Sequence, residues 1–595
     1  MWLIDTATMR MHDVFNTEDH KYAILSHTWE DDEVNFEDMT LRPYVARQKK
    51  GYLKIEKTCQ LAKERGIPYA WVDTCCIDKT SSAALSEAIN SMFLWYKESN
   101  VCFAYLSDLP SDTPELPRLA VKMGFSHCRW FTRGWTLQEL IAPELLEFYD
   151  ADWNFLGTKS ILRVEVSIST GIDVDVLEDV GKLSTVPVGR RMAWAANRTT
   201  TRIEDMAYCL LGIFDVNMPM IYGEGPKAFF RLQEEIIKNT NDLSLFAWNS
   251  QPGAGTDLRP TFWEYHQEQF RGILASSPAE FRNCLKLEHD PDSRRDNREF
   301  VMTNNGLRID CSLAVHQPDR DYIFSLGCRS PFKGLGMRAL GIRLAKADGG
   351  FVRVAATETF ALPKDIDTEG EALVFGPVST VYIRKGVRAA IAKKIRERSR
   401  IRRIYSLHLP PGWEKRTVSS TPKSRLDPDA MVCYTRTLRS FLDILHFSFV
   451  PESPGLTKGT AVVNLNFLFS SKFLVVDDFR FAVLDDDDMA ELKPIVDIDE
   501  DLGFRKANEI ISRSWKSRDS ESPTIRPKEW RIYEDFAYRI DVSHSPNLKA
   551  ISRDDRNEDF SLKVDIYVKP RPTDSSSYEF FTTWNKEIES TKVAL

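Results

Sequence analysis

At 595 residues, with 43% hydrophobic and 28% charged side chains, the chain has the composition of a globular protein of two or three domains with sizeable cores. Its formal net charge of −8 gives no support to nucleic acid or an anionic membrane as a partner, and neither is expected. Its ten cysteines show no zinc-like spacing and Cys75-Cys76 is an adjacent pair, so free buried thiols in a reducing cytoplasm are expected and a metal site is not.

The opening residues, MWLIDTATMRMHDV, lack the basic segment and apolar run of a secretory signal. Lys21 to Trp29, KYAILSHTW, reads as a buried strand that turns polar at a sheet edge around Ser26 and His27. Lys54 to Gly66 carries apolar Ile55, Cys59 and Leu61-Ala62 ahead of a glycine stop, which predicts a helix. IPYAWVD predicts a second strand ending at Asp73. After a polar loop through Asp78, Lys79 and Thr80, Ala83 to Glu98 sets Leu85, Ile89, Phe93 and Trp95-Tyr96 at near-helical spacing. Val101 to Leu106 predicts a third strand, WTLQELIAP a helix that Pro143 ends or kinks, and LLEFYD to Asp150 a fourth strand. Alternation of this kind predicts a parallel sheet flanked by helices, with its ligand crevice outside the carboxyl ends of the strands. Ser26, His27, Asp73 and the loop after Leu106 fall on that edge. The chain has no GxGxxG or Walker sequence, so an ordinary phosphate loop is not supported.

Residues 151 to 248 read as mostly helical, with a helix after Thr158 and two more within VPVGRRMAWAANRTTTRIEDMAYCLLGIF. Thr201 to Glu204 has the Thr-x-x-Glu capping form. An amphipathic helix follows the Gly-rich turn of MPMIYGEGPKAFFRLQEEIIKNT, whose GEG is not a phosphate-loop sequence. Gln251 to Pro260, QPGAGTDLRP, is the clearest linker. Beyond it, REFVMTNNGLRIDCSLAV predicts two strands around Asn-Asn-Gly, and DYIFSLGC, MRALGIRLAK, GFVRVAAT and STVYIRK continue that character. KGVRAAIAKKIRERSRIRR predicts an exposed or interfacial basic helix. AVVNLNFLFSSKFLVV from Ala461 is broken by Asn and Ser and reads as two buried strands, not a membrane span. From Met431 onward strands alternate with charged loops, including Asp485 to Asp488. The expected plan is an α/β core over 1–160, a helical part over 161–250, a linker over 251–260 and a β-rich region over 261–595, in one piece or two.

Several blocks then follow one another in a fixed order up to Trp248: YAILSHTW, GIPYAWVDTCCID, SMFLWYKESNVCFAYLSDL, RWFTRGWTLQELIAP and LGIFDVNMPMIYGEGPKAFFRLQEEIIKNTNDLSLFAW. Together they resemble the signature blocks of the fungal heterokaryon-incompatibility (HET) domain. HET domains are similar in topology to the Toll/interleukin-1 receptor (TIR) domain, and some TIR domains cleave NAD at the nicotinamide–ribose bond. SHTWEDDE at Ser26 to Glu33 resembles the polar loop after the first TIR strand. RGWTLQEL resembles the TIR helix that carries the catalytic glutamate, a role that would fall to Glu139. His27-Thr28-Trp29 and the long insert from Ser107 to Cys128 depart from the TIR pattern. The resemblance implies a TIR-like parallel sheet with a helical extension and a β-rich accessory region. It also implies NAD as substrate without a prosthetic group, a homo-oligomer on activation, and an incompatibility-protein partner.

Two roles are open to Glu139. As a carboxylate it can hold ribose hydroxyls and stabilise the positive charge that develops on ribose as nicotinamide leaves. The plainer role is helix N-terminal stabilisation or an ion pair with Arg133, which itself suits phosphate or ribose as well as that pair. Among Trp29, Trp71, Trp95, Trp130 and Trp135, Trp71 and Trp95 fall on core faces, while Trp29 and Trp135 are the better pocket candidates for stacking on nicotinamide or adenine. Ser26 and His27 are neighbours in sequence, which defines no triad; hydrogen bonding to phosphate or ribose is their better role, and loop capping the alternative. Asp73 and Asp78 hold ribose hydroxyls or order their loop, and Cys75-Cys76 are packing thiols. The expected function is an NAD glycohydrolase-type cell-death effector; the alternative is a non-enzymatic HET signalling module.

Overall fold

The computed structural model describes residues 1–15, 19–110, 127–250, 270–291, 299–316, 321–347, 349–362 and 373–387, and beyond residue 400 mainly strand backbone. The expected linker at Gln251 to Pro260, most of the Ser107 to Cys128 insert, the basic segment after Val387 and the loop Asp485 to Asp488 lie outside the described residues. The chain divides into two compact units. One comprises Met1–Ser312, Ile323–Lys364 and Pro377–Val387; the other comprises Leu313–Tyr322, Asp365–Gly376 and Arg388–Leu595.

The first unit begins with a seven-stranded sheet of β1 (Trp2–Asp5), β2 (Met11–Asp13), β3 (Tyr22–His27), β4 (Tyr69–Trp71), β5 (Val101–Tyr105), β6 (Leu146–Tyr149) and β7 (Phe155–Thr158). Their order across the sheet is β2-β1-β4-β3-β5-β6-β7. The four central strands are parallel, as expected. The edges are not: β1 is antiparallel to β2 and β4, and β7 is antiparallel to β6, so the sheet is mixed. The centre is covered on both faces, which is why Tyr22–Leu25 and Val101–Ala104 are unbroken buried runs.

The helix Tyr52–Glu64 leads from β3 to β4 and stops ahead of Gly66, whose φ of +68° suits a residue without a Cβ. The helix Ser82–Glu98 leads from β4 to β5, capped by the Ser81 side chain accepting from the Ala84 N–H. In chain order the parallel strands therefore sit second, first, third, fourth. After β4 the chain recrosses β3 and lays β5 on the other side. Between β3 and β5 the connections depart in opposite directions, and a doubly wound sheet opens a crevice there at its carboxyl end. Ser26 pairs with Ala104 and His27 with Tyr105 at that point.

Three local expectations are corrected. β4 ends at Trp71, and Asp73 opens a short helix, Asp73–Cys76, rather than closing the strand. The segment around Phe155 contributes an edge strand before the anticipated helix, which runs from Arg163 to Thr170. The Thr201–Glu204 capping box does not form: the helix begins at Asp205, and the Glu204 carboxylate accepts from the backbone N–H groups of Gly223 (2.8 Å) and Gly225 (3.0 Å).

From Phe300 onward this unit is β-rich. Phe300–Thr303 and Gly306–Cys311 form the hairpin expected around Asn304-Asn305, and Tyr322–Phe332, Gly336–Ala347, Gly350–Val354 and Ser379–Ile383 are strands. A buried arginine ties this part to the end of the helical segment. Arg353 donates to the carbonyls of Phe246 (3.0 Å) and Trp248 (2.5 Å), and its guanidinium lies 4.0 Å from the Trp248 ring centre. In the second unit, Trp413–Thr421, Phe441–Pro451, Gly459–Phe469 and Leu474–Val483 form an antiparallel meander that includes the pair read from Ala461. There too, Ile401–His408 runs parallel to Phe560–Pro570. Among the described residues no helix is long and apolar enough to cross a membrane, and no group of His, Cys, Asp and Glu could hold a metal ion.

Candidate active site

Glu139 lies in the helix Thr136–Ile141, between β5 and β6, and its side chain is buried. The β3 strand carries Ser26 up to it: Ser26 Oγ donates to Glu139 Oε2 at 2.5 Å and accepts from Trp130 Nε1 at 2.8 Å. The Tyr96 hydroxyl, which donates to the Leu25 carbonyl at 3.0 Å, also lies alongside the carboxyl. Burial, with the neighbouring Asp73 charge, pushes the Glu139 carboxyl up to about 8. The hydroxyls of Ser26 and Tyr96 and the charge of Arg133 pull the other way and are outweighed. A carboxyl held near neutrality in this manner is poised to change charge with its ligand.

His27, one residue beyond Ser26, faces the opposite surface of the sheet, as strand alternation requires. Its Nδ1 is 3.8 Å from Asp73 Oδ1 and its Nε2 is 3.7 Å from Glu33 Oε1, and neither nitrogen makes a hydrogen bond. Burial, reinforced by the charges of Lys54 and Lys79, holds the imidazole well below its usual value, so it is neutral at physiological pH despite the two carboxylates. Asp73 accepts from Trp29 Nε1 at 2.8 Å, leaves Oδ1 unpartnered, and is itself raised by burial. Lys79 lies 3.6 Å above the half-exposed Trp29 ring, and Lys54 pairs with Glu33 and donates to the Thr28 carbonyl at 3.2 Å.

The structure thus gathers Ser26 with Glu139, and His27 with Trp29 and Asp73, at the carboxyl end of the sheet. The other two candidates look elsewhere. Trp135 donates its indole N–H to Asp205 at 3.3 Å, and Arg133 Nη1 reaches Thr201 Oγ1 at 3.3 Å, although its charge is felt by Glu139. Asp78 accepts from the backbone and hydroxyl of Thr80 and so orders its own loop. Cys75 and Cys76 are buried free thiols. Sequence reading missed Tyr96, Lys54 and Glu33. Tyr96 sits on the apolar face of its helix and passes for core until its hydroxyl is placed, and Lys54 is a buried lysine at a position that reads as surface.

Residues 22–123 match the family model of the heterokaryon incompatibility protein (HET), and residues 227–310 match a domain of unknown function (DUF8212). Glu139 lies beyond the first of these segments. Over 284 residues the chain is 47% identical to the vegetative incompatibility protein HET-E-1 of Podospora anserina. That alignment covers 46% of this chain and 20% of the relative, so the chain spans about a fifth of that protein's length. No solved structure matches. The ordered blocks, the α/β sheet they build and these matches agree on one point: the chain carries a heterokaryon-incompatibility (HET) family match over residues 22–123 and is similar to a fungal vegetative incompatibility protein over 284 residues.

Proposed function

We propose that the α/β part of this chain hydrolyses NAD at the nicotinamide–ribose bond, with Glu139 as the acting acid. The observation that carries the reading is the buried Ser26–Glu139 contact at the switch point of the sheet, where the carboxyl is raised to about 8. The TIR-like order of the parallel strands and the position of Glu139 in RGWTLQEL support it further. Ser26, His27, Trp29 and Asp73 are the binding residues of this proposal; Arg133, expected beside them, points to Thr201 and contributes its charge, and Trp135 braces the start of the Glu139 helix. The unpartnered nitrogens of His27 and Oδ1 of Asp73 offer hydrogen bonds to ribose hydroxyls or phosphate, and the Trp29 face offers stacking once Lys79 moves aside.

In the reaction the bond from C1′ to the ring nitrogen breaks, and its electron pair leaves with nicotinamide, cancelling the ring's charge. Positive charge grows at C1′, where the Glu139 carboxylate stabilises it. Water then adds to C1′ and releases a proton, giving ADP-ribose. Free Glu139 is mostly protonated at pH 7, and the cationic ring of bound NAD draws it into the carboxylate form. The profile of kcat/KM should therefore rise through a limb near pH 8, reporting the free group.

The test is NAD consumption with chromatographic identification of products, for wild type and Glu139→Gln, across protein concentrations that cover self-association into a homo-oligomer. Nicotinamide release by wild type, lost in a folded Glu139→Gln, supports hydrolysis. An assembled wild type that binds an incompatibility partner and releases no nicotinamide would replace this reading with a HET module acting through protein association alone.

A further inference from the structure

We propose that Arg198, in the helical part outside the α/β core, is the positioning residue that fixes the turn presenting Glu139. The inference rests on Glu139 being the acting acid, as proposed above. Arg198 is buried, and its Nη1 donates to the Arg133 carbonyl at 2.8 Å and to Thr136 Oγ1 at 3.0 Å, while Nε donates to the Trp194 carbonyl at 3.3 Å. Thr136 Oγ1 passes the connection on to the Trp130 carbonyl at 2.5 Å, and the indole of the same tryptophan donates to Ser26, which in turn donates to Glu139. The backbone repeats the link: Thr199 N–H donates to the Thr132 carbonyl at 2.7 Å, and Gly134 N–H donates to the Thr199 carbonyl at 2.9 Å. Arg198 and Thr199 thus strap both ends of the turn from Trp130 to Thr136. The strap lies so close that a Cβ on Gly134 would come within 2.5 Å of Thr200 Cγ2.

A guanidinium buried against neutral acceptors is a costly way to brace a turn, and an apolar side chain could fill the same volume. Its charge gives the cost a purpose. Burial lowers Arg198 to about 10, where it remains a cation at neutral pH, and the Glu139 charge favours that form. The titratable groups around Glu139 are Asp73, Tyr96, Cys102, Arg133, Arg198 and Cys209, of which only the two arginines are cations. Arg198 therefore holds the turn in place and, as a buried cation coupled to Glu139, adds to the pull of Arg133 toward the carboxylate form.

The test uses the full chain and needs no turnover. Infrared difference spectroscopy follows the protonated carboxyl band assigned to Glu139 by its loss in Glu139→Gln, in wild type, Arg198→Lys and Arg198→Met. The midpoint should rise in Arg198→Met, as the turn loosens and a buried cation is lost, and return most of the way in Arg198→Lys. Where nicotinamide is released, kcat should fall by on the order of tenfold or more in both variants, since each loses the fork, with KM little changed. An unmoved midpoint in folded Arg198→Met overturns the proposal whatever the turnover. An assembled wild type without turnover overturns the hydrolysis reading and leaves the midpoint to decide positioning. If Arg198→Met does not fold, Thr136→Val, which removes the hydroxyl that links Arg198 to the Trp130 carbonyl while keeping Arg198, should raise the midpoint too. An unmoved midpoint there is equally fatal.

Discussion

Replacing Glu139 by Gln should make the protein more stable, and increasingly so as pH rises. The folded carboxyl titrates at about 8 against an ordinary value of 4.5, so between those values the native state holds a proton that the unfolded chain has released. Stability contributed by the protonated group is complete below pH 4.5 and is lost as pH climbs through 8. Each pH unit in that window removes about 1.4 kcal/mol, which amounts to about 3 kcal/mol by pH 7 and a ceiling of about 4–5 kcal/mol at pH 8. Glutamine keeps the shape and accepts from Ser26, but carries no titration. Urea unfolding of the two proteins, followed by tryptophan fluorescence at pH 5, 6, 7 and 8, isolates Glu139 together with the groups coupled to it, because titrations independent of Glu139 cancel in the difference. The curves should diverge by about 1.4 kcal/mol per pH unit. Parallel curves, or a glutamine variant that loses stability as pH rises, would show that Glu139 is ionised in the fold and that its burial has been misjudged.

Other expectations follow from single contacts. Ser26→Ala strands the Trp130 indole N–H and removes a donor from Glu139; it should cost about 2 kcal/mol in denaturant unfolding and move the kcat/KM limb upward. Arg353→Met leaves the carbonyls of Phe246 and Trp248 unpaired, and thermal unfolding should show a loss of about 2–4 kcal/mol.

Much of the α/β core was legible because its strands are buried on both faces and its helices keep their period. The run from Tyr22 to Leu25, the helix Ser82–Glu98 and the hairpin at Asn304-Asn305 each announce themselves within a dozen residues. The edge strands were not legible. Trp2–Asp5 and Phe155–Thr158 are four residues each, too short for a period to separate strand from helix or loop, and their antiparallel direction depends on partners elsewhere in the chain. Within the site, the blocks that carry Ser26 and Glu139 could be read, and their meeting could be argued from the sheet edge. The hydroxyl of Tyr96, the buried Lys54 and the ties of Trp135 to Asp205 and of Thr136 to Arg198 could not. Those pairs lie as far as 70 residues apart, and no local pattern encodes which polar side chain will complete another.

The 113 residues between Ser26 and Glu139 also set a clock on the growing chain. At roughly 5–20 residues per second, the segment bearing Glu139 leaves the ribosome about 6–23 s after Ser26, and Arg198 follows some seconds later. During that interval β3 can pair with β4 and β5, but the hydroxyl of Ser26 and the indole of Trp130 await the turn that joins them to the carboxyl. A nascent chain halted anywhere before Arg198 therefore holds a sheet without a finished centre. For a site proposed to hydrolyse NAD, late assembly means that the reaction centre is the last part of the sheet to be completed.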